Sequence, residues 1–298
     1  MTRPDALAPP CAPPDFAVRP PRVALPSPSC DCHAHVIGPA GRYPFSAERV
    51  YTPPDCLPDD YERMRAVLGL ERAVLVQPSV YGTDNRLLLD ALAQDPTHLR
   101  GVAVVPADVA DAELERLHAA GVRGVRVNLV DRRDAGGPLP LAMLAQLARR
   151  IAAPGWHLEL LVHVDQHAQE LPRLAGLGVP VVLGHFGYQS LGAGPGHAGF
   201  QALLRLLAEG ALWVKLTGPY RLTREPLPYA ECDRLAQALR EAAPGRLLWG
   251  SDWPHVMLKG RMPNDADLVD LLERWLPDPS LREQVLVRNP QALYGFPA

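Results

Sequence analysis

The chain has 298 residues, 47% hydrophobic and 21% charged, with 30 Lys and Arg against 33 Asp and Glu for a formal net charge of −3. This is ordinary globular composition, long for one common domain but usual for a large barrel. The near balance of charge, with no basic run, speaks against a nucleic-acid or anionic-membrane partner, and no stretch approaches the ~18 apolar residues of a membrane span.

Residues 1–28 are rich in proline and hold no apolar core region. They read as an extended or disordered lead-in lying against the rest, not as a secretory signal, and the cytoplasm is the default location. From residue 29 a rhythm sets in. Short apolar or β-branched runs fall at 29–36, 72–77, 100–105, 124–129, 158–164, 179–186, 212–218 and 246–253. Between them lie helical patterns such as 87–94, 112–120, 141–152, 200–208 and 229–242. Strands alternating with helices imply βαβ units and a parallel sheet. Eight units in about 260 residues predict an α/β fold, a single (β/α)₈ TIM barrel over 29–298 with 1–28 as an extension. An open Rossmann-like sheet would want a glycine-rich turn after the first strand. The chain has Cys32-His33-Ala34-His35-Val36 there. The proline-rich loop 38–58 follows the first strand and so falls on the catalytic face, over the site. Five scattered cysteines do not make a disulfide framework.

Strand alternation puts Asp31, His33 and His35 on one face and Cys30, Cys32 and Ala34 on the other. The same count aligns Val181 and Leu183 with His185, and Leu248 and Gly250 with Asp252. Three histidines and a carboxylate then meet at C-terminal strand ends, where barrel chemistry sits. Such a set could hold one zinc or manganese ion with an open position for water. On the fourth strand Arg126 and Asn128 share a face, Arg132 follows in the loop, and Arg221 comes after the seventh strand. A guanidinium at a barrel mouth either grips a substrate carboxylate or pairs within the protein, with Asp31 or Asp131 as partners for Arg126. His163 ends the fifth strand as a further candidate.

The Asp31-Cys32-His33-Ala34-His35 start, His185-Phe186-Gly187 and Trp249-Gly250-Ser251-Asp252-Trp253-Pro254-His255 resemble the amidohydrolase superfamily. Arg42-Tyr43-Pro44-Phe45, Tyr51-Thr52-Pro53, Gln77-Pro78-Ser79, Gly82-Thr83-Asp84-Asn85 and the closing Asn289-Pro290 and Leu293-Tyr294-Gly295 place the likeness in the amidohydrolase 2 branch that contains 2-pyrone-4,6-dicarboxylate lactonases. The resemblance implies hydrolysis of a carboxylated lactone, a small-molecule substrate, with Asp252 as general base and His33, His35 and His185 polarising the carbonyl. It places Arg126, Arg132 and Arg221 on the substrate carboxylates and Tyr51 and Ser79 on substrate-contacting positions. It implies that no metal is required, and a monomer or homodimer. The chain departs from related barrels in two places. Arg126 stands where many carry a Lys or Glu that bridges two metals, which argues against a binuclear site. The fifth-strand position falls on either His163 or Leu161. Competing readings on the same barrel are a metal-dependent decarboxylase, a lactone isomerase and a non-catalytic binding barrel.

Overall fold

The computed structural model of the chain describes residues 8–131 and 137–297. Eight parallel strands pair in chain order: β1 (Cys30–Ala34), β2 (Arg72–Val76), β3 (Leu99–Ala103), β4 (Val122–Asn128), β5 (His157–Leu161), β6 (Val181–Leu183), β7 (Leu212–Leu216) and β8 (Leu247–Trp249). The ring closes where Asp252 N donates to His33 O (2.8 Å) and His35 N to Trp253 O (2.7 Å). This is the expected (β/α)₈ barrel.

The outer layer holds α1 (Pro58–Leu68), α2 (Arg86–Leu92), α3 (Asp111–Ala119), α4 (Leu141–Ala152), α5 (Leu171–Ala175), α6 (Ala198–Ala208), α7 (Asp233–Ala242) and α8 (Asp265–Asp270). Three short helices follow, α9 (Leu272–Trp275), α10 (Pro279–Glu283) and α11 (Asn289–Tyr294). Helical periodicity explains the clearest of them. In α4, Leu144, Leu147, Ala148 and Ile151 recur at i, i+3, i+4 and i+7 and are all buried against the strands. The helix α1 has no counterpart among the helical patterns read from the sequence; it follows the loop 38–57 directly, and the Asp60 carboxylate accepts the Leu57 N–H at its start (2.9 Å).

Buried apolar residues divide into two sets. Ala34, Ala73, Leu75, Leu158, Leu160, Val181, Leu183 and Val214 pack with the helices. Cys30, Cys32, Val74, Val76, Val102, Val182 and Leu248 pack with Tyr294 and Phe296 in a smaller cluster inside the barrel. Above these the interior turns polar, with His157, Glu159, Lys215 and Arg126 all buried. Gly124 leaves room for His157, since a Cβ there would lie 2.2 Å from the imidazole.

The lead-in from residue 8 lies along the barrel. Pro10 bridges to Thr52, and the Asp270 carboxylate accepts the backbone N–H of Arg22 (2.7 Å) and Val23 (3.3 Å). Among the described residues no helix is long and apolar enough to cross a membrane.

Candidate active site

The first strand departs from the alternation expected of it. Its pairing with β2 slips between Asp31 and Ala34, as a β-bulge does. Cys30 and Cys32 therefore face the barrel interior. Asp31 turns outward and accepts hydrogen bonds from Tyr61 of α1 (3.0 Å) and Ser251 Oγ (2.5 Å). Past the bulge His33 and His35 both point inward, their ring centroids 5.0 Å apart.

The other two members of the quartet arrive by turns. β6 ends at Leu183 and β8 at Trp249, so His185 and Asp252 stand beyond the strands. Val181 and Leu183 face the helices, contrary to the expected sharing of a face with His185. Left-handed backbone, φ 49° at His185 and φ 63° at Asp252, re-aims both side chains into the mouth. The His185 ring lies 4.9 Å from that of His33. Its Nδ1 is 2.8 Å from Thr217 Oγ1 and 4.0 Å from Asp252 Oδ2.

Asp252 is fully buried. Its Oδ2 accepts from Arg221 Nε (2.6 Å) and Tyr220 Oη (2.7 Å), and its Oδ1 from Arg221 Nη2 (3.2 Å). Burial alone would raise its carboxyl, but the Arg221 guanidinium, through its charge and hydrogen bonds, holds it well below the usual carboxylate range. Burial drives the histidines the other way: His35 falls to about 3 and His185 to about 4. His33, which also faces Lys215, falls well below its ordinary value. All three are neutral at physiological pH. His35 Nδ1 lies 2.7 Å from Val76 O; a carbonyl only accepts, so Nδ1 carries the proton and Nε2 offers its lone pair. His33, His35 and Asp252 each present one ligand atom within 4.8 Å of the others. His185 is not part of that convergent group.

Two residues missed in the sequence complete the floor. Lys215 Nζ lies 2.5 Å from Glu159 Oε2 and 3.2 Å from His33 Nδ1, and both side chains are wholly buried. Glu159 occupies the inward fifth-strand position through which this strand reaches the histidines. Leu161 lies on the same strand face at the mouth, and its side chain approaches Gly184. His163 sits outside the cluster, its Nδ1 3.1 Å from Tyr188 O and its ring against Tyr188. Neither reading of the fifth-strand position anticipated Glu159. Its signal was a carboxylate set between leucines on a buried strand. Tyr220 was also unassigned, and links Asp252 to His255, whose Nδ1 is 2.8 Å from Tyr220 Oη.

A cleft of about 560 Å³ opens at the mouth, lined by Gln77, Ser79, Arg126, Asn128, Asp131 and the loop residues Ser46, Glu48, Arg49 and Val50. A smaller one of about 310 Å³ is lined by Tyr188, Tyr220, Arg221, Arg224, Lys259 and, again, Asp131. Arg126 is buried, donates from Nη1 to Gln77 O (3.1 Å), and has no partner for Nε. Neither Asp31 nor Asp131 forms an ion pair with it among the described residues. Arg221 pairs within the protein, but with Asp252. Ser79 Oγ donates to Tyr51 Oη (3.3 Å) under the loop 38–57. Asn128 is tied to Asp131 (3.1 Å). Arg132 lies outside the described residues.

Comparison with known proteins agrees with this architecture. Residues 30–296 match the Amidohydrolase family. The 4-sulfomuconolactone hydrolase of Rhizobium radiobacter is 37% identical over 96% of both chains. The 2-pyrone-4,6-dicarboxylate hydrolase of Comamonas testosteroni is 38% identical over 92% of both. A solved Pseudomonas putida structure, described as a 2-pyrone-4,6-dicarboxylic acid hydrolase, superposes with a TM-score of 0.81 at 35% identity, covering 92% of this chain and all of that one. The (β/α)₈ barrel and a family match over nine-tenths of the sequence together show that the chain belongs to the amidohydrolase family.

Proposed function

We propose that the protein is a lactonase that opens a small lactone bearing carboxylates, of the 2-pyrone-4,6-dicarboxylate kind. The observation that carries this is Arg126, a buried guanidinium beside the quartet whose Nε has no partner among the described residues. An unmet buried cation is costly unless an anion completes it, and a planar fork matches a carboxylate. Both relatives act, by name, on lactones that carry anionic groups.

In this reading Asp252 takes the proton of the attacking water. His33 and His185 polarise the lactone carbonyl, and His35, with its Nε2 lone pair, helps to orient the water. Arg126, Arg132 and Arg221 anchor the carboxylates, while Tyr51, Ser79 and Asn128 set the pose. Arg221 links binding to chemistry. A substrate carboxylate that draws it away from Asp252 leaves that carboxylate a stronger base.

His33, His35 and Asp252 fit a single divalent ion such as zinc or manganese. When bound, it would serve as a Lewis acid toward the carbonyl. The steps assigned above do not use it.

The test measures hydrolysis of 2-pyrone-4,6-dicarboxylate by purified protein of known metal content, before and after chelation, beside Asp252→Asn. Turnover that survives chelation and falls by about 10²- to 10⁴-fold in the variant supports the reading. No turnover, or turnover unchanged in Asp252→Asn, removes it.

A further inference from the structure

A buried ion pair serves no purpose in the reaction as written, yet it touches the reacting floor. Glu159 on β5 and Lys215 on β7 are both wholly buried, and their charged ends meet at 2.5 Å. Placing two charges in a barrel core is rarely a gain in stability over apolar packing, so the pair calls for another role. Its only other hydrogen-bond or ion-pair neighbour among the described residues is His33. Lys215 Nζ lies 3.2 Å from His33 Nδ1 in hydrogen-bonding geometry. Glu159 Oε1 lies 3.3 Å from the same nitrogen but off the line of a hydrogen bond, and is left without a partner.

This contest fixes what the other side of the imidazole offers. An ammonium has donors only. If Lys215 donates to Nδ1, the proton of the neutral ring sits on Nε2. If Glu159 accepts from Nδ1, Nε2 is a bare lone pair. That Nε2 is the atom facing the site: it is buried, has no hydrogen-bond partner among the described residues, and stands 3.7 Å from Asp252 Oδ1. A donor there stabilises charge on a carbonyl oxygen, whereas a lone pair there binds a metal ion.

We infer that Lys215, held by Glu159, is a positioning residue that keeps His33 in the Nε2–H tautomer, making it a hydrogen-bond donor to the substrate and a poor metal ligand. The role given to the donor rests on the lactonase reading, but the tautomer itself does not. His33 is thereby set apart from His35, whose Nδ1 donates to Val76 O and whose Nε2 is bare.

The experiment is ¹⁵N NMR of the histidine-labelled full-length protein, metal-free at neutral pH, with the His33 resonances assigned by their loss in His33→Gln. The expected result is a protonated Nε2 and an unprotonated Nδ1. In Lys215→Met the proton should move to Nδ1, facing Glu159. Zinc alone, titrated by calorimetry, should then bind at least about tenfold more tightly, since no proton has to leave Nε2. On the substrate, kcat should fall about 10²-fold with KM within about threefold, the pattern of a lost transition-state donor. Glu159→Gln leaves the Lys215 N–H donors beside Nδ1 and should keep the Nε2–H tautomer. Finding Nδ1 protonated in the unmodified protein overturns the inference, even if Lys215→Met does not fold. So does an unchanged tautomer in a folded Lys215→Met. The spectrum needs no turnover, so a protein inactive on the pyrone but showing Nε2–H would sink the substrate and not the tautomer.

Discussion

Gly218 shows how tightly the mouth is drawn at the scale of one residue. Its φ is +55°, and a Cβ there would lie 2.6 Å from Asp252 Oδ2 and 3.0 Å from His185 Nδ1. Gly218→Ala therefore meets two costs. Left-handed backbone costs an alanine about 1–2 kcal/mol, and the methyl displaces the carboxylate and imidazole that do the chemistry. Turnover should drop by about 10²-fold, as a shift near 1 Å can do, while a circular dichroism spectrum stays that of the parent. Near-normal activity would mean that Asp252 and His185 tolerate displacement and that their exact placement matters little. The glycine was visible in the sequence, but not its reason, which depends on the approach of two loops. The quartet itself was legible because His33, His35, His185 and Asp252 all fall at the ends of apolar runs. Glu159 and Lys215 were not legible in the same way. A lone charge on a strand gains meaning only when its partner, two strands away in the barrel and 56 residues along the chain, is seen beside it.

At the scale of elements, strand starts are legible in the sequence and strand ends are not. The sixth apolar run continues through Phe186 and the eighth through Trp253, yet these strands stop at Leu183 and Trp249. Apolar residues continue past both ends because the turns that follow are buried too, and hydrophobicity alone does not distinguish a buried turn from a strand. Side-chain parity counted through those turns consequently fails for Val181 and Leu183. The bulge in β1 does the same to Asp31 and the two cysteines, since one extra residue inverts the faces. The proline-rich lead-in shows the opposite case, with no periodicity to read and yet a defined seat. That seat centres on Asp270, a nearly buried carboxylate at the end of α8 which takes Arg22 Nε (3.1 Å) and the Arg22 and Val23 amides. Asp270→Asn keeps the shape and loses the charge and at least one acceptor. We expect it to lower unfolding stability by about 1–3 kcal/mol with kcat unchanged, read from urea titration and assay of the same preparation. If stability does not move, the lead-in is a passenger on a barrel that stands without it.

For the molecule as a whole, the barrel holds neutral histidines where water would charge them, and this sets its response to acid. His35 is pushed down to about 3, and His157 and His185 to about 4, in each case chiefly by burial. In the unfolded chain the same groups take up protons near pH 6.5. Between that value and the depressed native values the unfolded state binds more protons, so stability must fall as pH falls through this window. The buried carboxylates Asp252 and Glu159, held low in the fold, add their own loss only at lower pH, near and below ordinary carboxylate values. A group that stays neutral in the fold loses about 1.4 kcal/mol of stability for every pH unit below its unfolded value, so His35, His157 and His185 should each remove roughly 2 kcal/mol by pH 5, and His33, also held low by burial, acts in the same direction. The sum is a large share of the stability of an ordinary domain, so the protein should be markedly less resistant to urea at pH 5 than at pH 7. Urea midpoints measured from pH 7.5 to 5.5 should decline steadily. His157 gives a way to read the slope away from the catalytic groups, since its ring packs on Tyr294 inside the barrel and its Nδ1 meets Arg123 O (2.9 Å). His157→Gln lowers stability at every pH, but its curve should be shallower by about a quarter, because one of four such histidines, His33 among them, is gone. A parent curve flat from pH 7.5 to 5.5 would show that these rings are hydrated or already charged in the fold, and the neutral histidines on which the catalytic proposal depends would go with it.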